Sequence, residues 1–380
     1  VVIDITKNVF TEEAEFILED LKQEIKSSQA NVSEIIDALN FAKRPLLIVG
    51  GGVVQGGASK KVFEFVESLN IPVVSTMMGL GAYPESDENY LGMIGIFGQN
   101  SANQAVRESD LVIAVGTRFN DRITCCFKKE ELSKKLVHID IDSKEISKII
   151  PAKIGVVGDA GSVLETLNAE VLKFGKFNYT EWLKQAQELK KSNKKPLKRT
   201  DNMHSFEVLE KIANCLKGKN LVVTTEVGQH QVWTARYLQF NSPNKFITSG
   251  GLGTMGFGFP ASIGACIAEN KPVICIAGDG SFQMNMQELA TCMDYNLPVK
   301  IFILDNGYLG MVRQFQEKSC DERYFATKIS NPDFIKLAES YGAKALRVEK
   351  LENVENAVNE ALSADGTFII DFAIEPKELL

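Results

Sequence analysis

Residues 272–281 are Pro272-Val273-Ile274-Cys275-Ile276-Ala277-Gly278-Asp279-Gly280-Ser281, an apolar run that ends in a Gly-Asp-Gly turn. A continuous apolar run of this length is typical of a strand buried on both faces of a parallel sheet. Open α/β sheets bind ligands at the carboxyl ends of their strands. The flanking glycines would let backbone N–H groups approach an anion, and a carboxylate beside an anion favours a bridging Mg2+. Taken alone, the Gly-Asp-Gly sequence would also be explained by a simple turn that binds no ligand.

A second apolar run, Val299 to Leu304, ends in Asp305-Asn306, and Asn306 lies 27 residues after Asp279. We predict one helix, Met284 to Tyr295, between the two strands. Asp279 and Asn306 would then lie at the same edge of the sheet, where the amide oxygen of Asn306 can complete a metal shell without adding charge.

Further apolar runs alternate with helix-like periodicity on both sides of this region. This alternation predicts an α/β protein with two doubly wound parallel-sheet domains. The remaining predicted strands are Pro45–Val49, Ile71–Ser75, Leu111–Val115, Leu136–Ile141, Leu221–Thr225, Lys245–Thr248, Ala343–Val348 and Phe368–Phe372.

The predicted boundaries give a first domain at 31–174, a connection at 175–203 and a second domain at 204–380. A helix from Asp159, which would cap it, to Lys173 closes the first domain. The connection is Lys-rich, contains Pro196, and is predicted to hold a helix from Thr180 to Ser192 and a solvated basic run from Lys190 to Arg199.

Composition excludes several classes of protein. The net charge of -7 argues against a nucleic-acid surface, and no stretch approaches the ~20 apolar residues of a membrane span. Seven cysteines without a CxxC pair favour free thiols and a cytoplasmic location. Three histidines make a His-centred triad or a His-rich metal site a poor hypothesis.

The Gly-Asp-Gly turn followed by Asn at this spacing resembles the Mg2+ and diphosphate signature of thiamine-diphosphate enzymes. Three further segments resemble acetolactate synthases within that family. They are Val227-Gly228-Gln229-His230-Gln231-Val232-Trp233, Gly250-Gly251-Leu252-Gly253-Thr254-Met255-Gly256 and Gly307-Tyr308-Leu309-Gly310-Met311-Val312-Arg313-Gln314.

The resemblance implies that Asp279, Asn306 and the backbone carbonyl of Tyr308 hold Mg2+. It implies catalytic roles for Met255, Met311 and Phe315. Met255 would support the bent cofactor, although core packing would also explain a methionine there. The residues implied in thiamine diphosphate binding are Val227, Gly228, Gln229, His230, Met255, Gly278, Asp279, Gly280, Ser281, Asn306, Tyr308, Leu309, Gly310, Met311 and Val312.

In the first domain, a strand runs into Gly50-Gly51-Gly52, which would expose backbone N–H groups to a phosphate or simply form a tight turn. Arg118 and Arg122 follow another apolar strand and can form bidentate hydrogen bonds with phosphates. Asp140 could accept hydrogen bonds from ribose hydroxyls. These segments resemble the FAD-binding middle domain of biosynthetic acetolactate synthases. The implied FAD contacts are Gly50, Gly51, Gly52, Thr76, Met77, Met78, Gly95, Gly116, Thr117, Arg118, Asn120, Arg122, Ile123, Asp140, Ile141, Gly158 and Asp159.

The resemblance implies decarboxylation of pyruvate and transfer of the two-carbon unit to a second 2-oxo acid, pyruvate or 2-oxobutyrate, in branched-chain amino acid biosynthesis. In the family a glutamate from an N-terminal domain activates the cofactor, and we find no substitute for it here. Residues 1–30 are interpreted as a remnant of that domain and a linker. Val1 to Ile5 is predicted to be a strand, and Val1 to Val9 resembles the last strand of that domain, so we expect a fragment that is weakly active or inactive alone.

Two positions depart from the family pattern. Phe97 stands where many relatives have His, which puts one flavin contact in doubt. Phe315 stands where the family usually has Trp, and the smaller ring predicts weaker selection for 2-oxobutyrate over pyruvate. A competition assay that showed strong 2-oxobutyrate preference would contradict this expectation.

Three alternatives stay open at this point. The first is another flavin-containing thiamine-diphosphate enzyme, such as glyoxylate carboligase or pyruvate oxidase. The others are a non-catalytic cofactor-binding subunit and a pair of NAD-binding domains. Relatives form dimers or tetramers, so we expect a homo-oligomer, and the sequence leaves a small regulatory subunit open.

Overall fold

The computed structural model describes residues 3–15, 32–175, 177–192 and 199–380, which contain two six-stranded parallel sheets. This confirms the predicted fold class. The strands of the first sheet are β1 (Pro45–Val49), β2 (Val73–Ser75), β3 (Tyr90–Met93), β4 (Leu111–Val115), β5 (Leu136–Asp140) and β6 (Ile154–Val157). Those of the second are β7 (Val222–Thr225), β8 (Phe246–Thr248), β9 (Val273–Gly278), β10 (Val299–Asp305), β11 (Lys344–Val348) and β12 (Phe368–Ala373).

Helices cover both faces of each sheet. In and beside the first sheet they are α1 (Ser33–Phe41), α2 (Gly51–Gln55), α3 (Ser59–Leu69), α4 (Asn100–Glu108), α5 (Asp121–Thr124), α6 (Lys129–Ser133), α7 (Ala160–Phe174) and α8 (Thr180–Ser192). Around the second they are α9 (Ser205–Leu216), α10 (Gln229–Tyr237), α11 (Gly258–Glu269), α12 (Asp279–Phe282), α13 (Leu289–Asp294), α14 (Gly310–Ser319), α15 (Phe334–Tyr341) and α16 (Val354–Ser363).

The first sheet has the strand order β3-β2-β1-β4-β5-β6, so the chain reverses direction across the sheet between β1 and β4. Its inner strands β1 and β4 are buried along their whole length, which is why their sequences are unbroken apolar runs. The side chain of Asp159 accepts a hydrogen bond from the Ser162 N–H and caps α7 as predicted.

The second sheet has the order β11-β12-β10-β9-β7-β8, and its reversal lies between β7 and β9. The prediction of one helix from Met284 to Tyr295 is wrong, because this segment forms a 3₁₀ turn, Met286–Glu288, followed by α13. Asn285 explains the interruption: its Nδ2 donates to the Gly256 carbonyl at 2.6 Å, which holds the backbone out of helical conformation.

One other local prediction is corrected. Residues 3–6 form no strand and a 3₁₀ turn follows at Lys7–Thr11, since a strand needs a hydrogen-bonded neighbour; Val1 and Val2 lie outside the described residues. Lys190 is exposed, as a solvated run requires, and its Nζ donates to the Tyr90 carbonyl at 2.6 Å. Helix α8 packs on the first sheet, with Trp182 donating to the Pro45 carbonyl at 2.9 Å, and residues 193–198 of the basic run lie outside the described residues.

Met78 joins the two domains at the ends of their sheets. It lies after β2, in a 3₁₀ turn, and is 42% exposed. A Cβ at Gly51 would lie 3.0 Å from the Met78 Cβ, and one at Gly250 would lie 2.5 Å from its sulfur. The glycines on both sides therefore allow one methionine side chain to contact the glycine loop of each domain.

Candidate functional site

A cleft lies at the carboxyl ends of β7, β9 and β10, beside the point where the second sheet reverses. This is where open α/β sheets bind ligands. Every residue predicted to bind thiamine diphosphate lines this cleft. Three lining residues were missed by sequence reasoning, Ser205, Leu304 and Ile374.

The His230 ring forms one wall of the cleft, between two glycines. A Cβ at Gly228 would lie 2.9 Å from the ring, and one at Gly278 would lie 2.6 Å from Nδ1, so neither position accepts a side chain. Nε2 of His230 is buried and has no hydrogen-bond partner among the described residues. A ligand acceptor such as a phosphate oxygen would satisfy this nitrogen.

His230 is expected to make the stability of the protein depend on pH. Burial lowers its pKa to about 4, from 6.5, so unfolding takes up a proton between these values. The free energy of unfolding should therefore fall by about 3 kcal/mol as the pH drops from 6.5 to 4. Urea unfolding across this range should show the dependence in the wild type and a shallower one in His230→Gln; equal slopes in the two proteins would contradict the assignment.

Asp279 is 2% exposed and is oriented by three hydrogen bonds. Its Oδ1 accepts from the Gly280 N–H at 2.9 Å, and its Oδ2 accepts from the Gly307 N–H and from Asn331 Nδ2, both at 2.8 Å. A carboxylate offers about four acceptor sites. Burial, more than any neighbouring charge, raises the pKa of Asp279 to about 7. A buried carboxylate with one acceptor site left is suited to a single bond to a cation.

The other two predicted metal ligands lie in the loop after β10. Asn306 Oδ1 accepts from the Tyr308 N–H at 2.9 Å, and Gly307 between them has a φ of 70° that favours glycine. Among the described residues, no group of three or more His, Cys, Asp or Glu side chains is placed to hold a metal. The predicted set has only one carboxylate beside an amide and a carbonyl, which suits Mg2+ that also binds phosphate oxygens.

Met255 lines the cleft, on a loop that is held by hydrogen bonds to the Glu226 carboxylate. The Glu226 carboxylate is fully buried and accepts from the Gly256 N–H at 2.7 Å and the Phe259 N–H at 2.8 Å. A Cβ at Gly280 would lie 3.9 Å from the Met255 methyl group, so the side chain reaches across the cleft. Glu226 was missed by sequence reasoning, because its partners lie 30 and 33 residues further along the chain.

Helix α14 brings Met311 to the cleft but leaves Phe315 outside it. Phe315 is 51% exposed and does not line the cavity, whereas Met311 does. Gln314, which belongs to a family-like segment but was not among the predicted site residues, accepts at its Oε1 from Gln229 Nε2 at 2.9 Å and from the Leu380 N–H at 2.8 Å. Gln314 thereby links Leu380 to Gln229 at the start of α10.

The residues predicted to contact FAD follow the carboxyl ends of all six strands of the first sheet, so they lie along one edge. The expectation that Gly50-Gly51-Gly52 exposes its N–H groups is wrong for two of the three. Gly50 N–H donates to the Val115 carbonyl at 2.9 Å, and Gly52 N–H donates to the Gly116 carbonyl at 3.0 Å. These glycines instead allow close backbone approach, because a Cβ at Gly116 would lie 2.6 Å from the Gly52 Cα.

The remaining predicted FAD residues take several positions on this edge. Gly95 has a φ of 106° and packs against the Arg122 carbonyl, while Asn120 precedes α5. Arg122 is largely exposed, and its nearest acid is the adjacent Asp121, at 3.7 Å. Ile141 is exposed, and Met77 packs against the core of the second domain. Gly158 and Asp159 follow β6. The buried residues of the predicted set are Thr76, Thr117, Ile123 and Asp140.

Family models match most of the chain. The model for the central domain of thiamine pyrophosphate enzymes matches residues 32–167, and the model for their C-terminal TPP binding domain matches residues 226–372. No described helix is long and apolar enough to cross a membrane.

Curated relatives carry one common description. A "Probable acetolactate synthase large subunit" from Methanococcus aeolicus is 41% identical over 92% of this chain and 61% of its own length. An "Acetolactate synthase large subunit" from Haemophilus influenzae is 38% identical over 100% of this chain and 68% of its own length. This chain thus spans about three fifths of the Methanococcus protein. By these matches the chain belongs to the acetolactate synthase large-subunit family of thiamine pyrophosphate enzymes.

Proposed function

We propose that this protein acts as an acetolactate synthase that uses thiamine diphosphate, Mg2+ and FAD. The observation that carries the proposal is the cleft at the reversal of the second sheet. It gathers four separate segments, one of which contains Asp279, beside a buried imidazole nitrogen that has no hydrogen-bond partner among the described residues. The proposed substrates are pyruvate and a second 2-oxo acid, pyruvate or 2-oxobutyrate.

The residues of the cleft would hold the diphosphate end through Mg2+. Asp279, Asn306 and the Tyr308 carbonyl would bind the metal, and His230 and the backbone from Val227 to Gln229 would contact the phosphates. Thiamine diphosphate, when bound, supplies the nucleophilic carbon and the electron sink for decarboxylation. Met255 and Met311 would form apolar contacts above the metal site and exclude water from it.

FAD is proposed for the carboxyl edge of the first sheet, whose strand order is the one that binds dinucleotides at the reversal. Arg118 and Arg122 would bind its phosphates. The flavin would have a structural role, since the proposed reaction has no net redox step. Because the relatives are described as large subunits, we also propose a small subunit as a partner, with self-association and a cytoplasmic location.

The test uses the full-length protein with pyruvate, Mg2+ and thiamine diphosphate. We expect flavin absorption in the purified protein and formation of acetolactate that requires both the metal and thiamine diphosphate. Acetolactate without flavin would refute only the FAD assignment. Binding of thiamine diphosphate with a different product from pyruvate or glyoxylate would favour another carboligase or an oxidase.

A further inference from the structure

Asn331, in the loop before α15, joins two carboxylates with one amide group. Its Nδ2 donates to Asp279 Oδ2 at 2.8 Å and to Asp305 Oδ1 at 2.7 Å. An amide NH2 group has two hydrogens, so it can serve both acceptors at once. Asp279 and Asp305 stand at the ends of the adjacent parallel strands β9 and β10, where unshielded carboxylates would repel each other.

The orientation of the Asn331 amide is fixed by its other end. Asn331 Oδ1 accepts from Gln283 Nε2 at 2.9 Å, and the same Nε2 lies 3.2 Å from the Asp279 carbonyl. A flipped amide would turn the Asn331 oxygen toward two carboxylates and the NH2 group toward a donor. The hydrogen-bond network therefore admits one orientation.

Backbone pairing holds the Asn331 segment against the predicted metal loop. The Leu309 N–H donates to the Thr327 carbonyl at 2.7 Å, and the Ile329 N–H donates to the Gly307 carbonyl at 3.0 Å. These bonds use the groups on either side of Tyr308 and not its own carbonyl, the predicted metal ligand. The segment thus braces both Asp279 and the loop that carries Tyr308.

Arg347 gives the two carboxylates different surroundings. Its Nη1 pairs with Asp305 Oδ2 at 3.3 Å and also with the buried Asp371. The negative charge of Asp305, which does not line the cleft, is therefore paired with Arg347, whereas Asp279 lines the cleft. Asn331 lies between an acid paired with arginine and an acid available to a cation.

We propose that Asn331 is a positioning residue for the metal site, which holds Asp279 toward the cation and prevents repulsion from Asp305. This inference rests on the proposed function, because it assumes that Asp279 binds Mg2+. Asn331 lies outside the predicted site segments. Asp305 would accept a hydrogen bond from Asn331 and would not contact the metal directly.

A graded series of substitutions tests the proposal on the full-length protein. The measurement is the Mg2+ concentration that half-saturates thiamine diphosphate binding, determined by calorimetry. Asn331→Ala should raise it by about 10–100-fold, as is usual for groups behind a metal ligand. Asn331→Ser keeps one donor and should lie between wild type and Ala, while Asn331→Asp, which keeps the shape but adds a third carboxylate, should give the largest rise.

A second readout separates positioning from a general effect on folding. Adding Asp305→Asn to Asn331→Ala should recover part of the Mg2+ affinity, because the repulsion that Asn331 prevents is then removed. A residue important only for folding would give additive losses. Asn353→Asp, the same charge change at an exposed asparagine of the same domain, should leave the Mg2+ requirement unchanged.

The outcomes distinguish this inference from the proposed function. If the wild type shows no Mg2+-dependent binding of thiamine diphosphate, the proposed function fails and this inference fails with it. If the wild type binds and the Ala and Asp variants keep its Mg2+ requirement within about twofold, Asn331 is not a positioning residue. If both variants lose affinity and Asp305→Asn restores none, the role of bridging two carboxylates is overturned.

Discussion

In Asp279→Ala, Mg2+-dependent binding of thiamine diphosphate is expected to weaken by more than about 100-fold, beyond the usual loss for a group behind the metal. The substitution removes the one carboxylate of the predicted metal set. It also removes Asp279 Oδ2, one of the two acceptors that the Gly307 N–H and Asn331 Nδ2 share, and leaves them only Asp305 Oδ1. Calorimetric titrations with and without Mg2+ measure the effect, and residual binding should no longer respond to the metal.

Asp294→Ala is the matched control, since Asp294 is an exposed aspartate at the end of α13 in the same domain. It should keep the wild-type affinity and metal requirement. If Asp279→Ala retained the Mg2+ dependence of the wild type, another residue would have to hold the cation, and the predicted metal set would be wrong.

Glu226→Ala is expected to lower the free energy of unfolding by about 2–6 kcal/mol, because each buried N–H left without a partner costs about 1–3 kcal/mol. The carboxylate is fully buried and receives the Gly256 and Phe259 N–H groups. Urea unfolding at neutral pH measures the loss. The loop that carries Met255 should loosen as well, so protease cleavage near residues 250–256 should become faster.

Glu269→Ala provides the comparison on the same domain. Glu269 is exposed and its ion pair with Lys245, at 3.1 Å, should contribute no more than about 1 kcal/mol. Equal losses in the two variants would mean that Glu226 does not anchor the loop.

The sequence predicted strand limits best where a strand is buried along its whole length, because such a strand is an unbroken apolar run. Strands β1 and β4 were predicted with their observed limits, because inner strands of a parallel sheet are apolar along their length. β3 and β6 were missed. β3 contains Gly92, and β6 lies at the edge with exposed residues, so neither shows an unbroken apolar run.

Site residues were predictable when they directly follow a strand, because the topology then brings them to one edge. Glu226 and Asn331 could not be found in this way. Asn331 contacts Asp279 across 52 residues of sequence, and nothing in its neighbourhood marks it as different from any loop asparagine. The same holds for Gly50 and Gly52, whose N–H groups bond to the end of β4 and its following glycine, and not to open space.

The contact of Met78 with both glycine loops has a thermodynamic consequence. One side chain touches Gly51, beside the proposed flavin site, and Gly250, on the loop that leads to Met255. If flavin binding fixes this side chain, it also orders part of the thiamine site before its ligand arrives. Thermodynamic reciprocity then requires thiamine diphosphate to increase the affinity for FAD by the same factor, so the two cofactors would be retained or lost together.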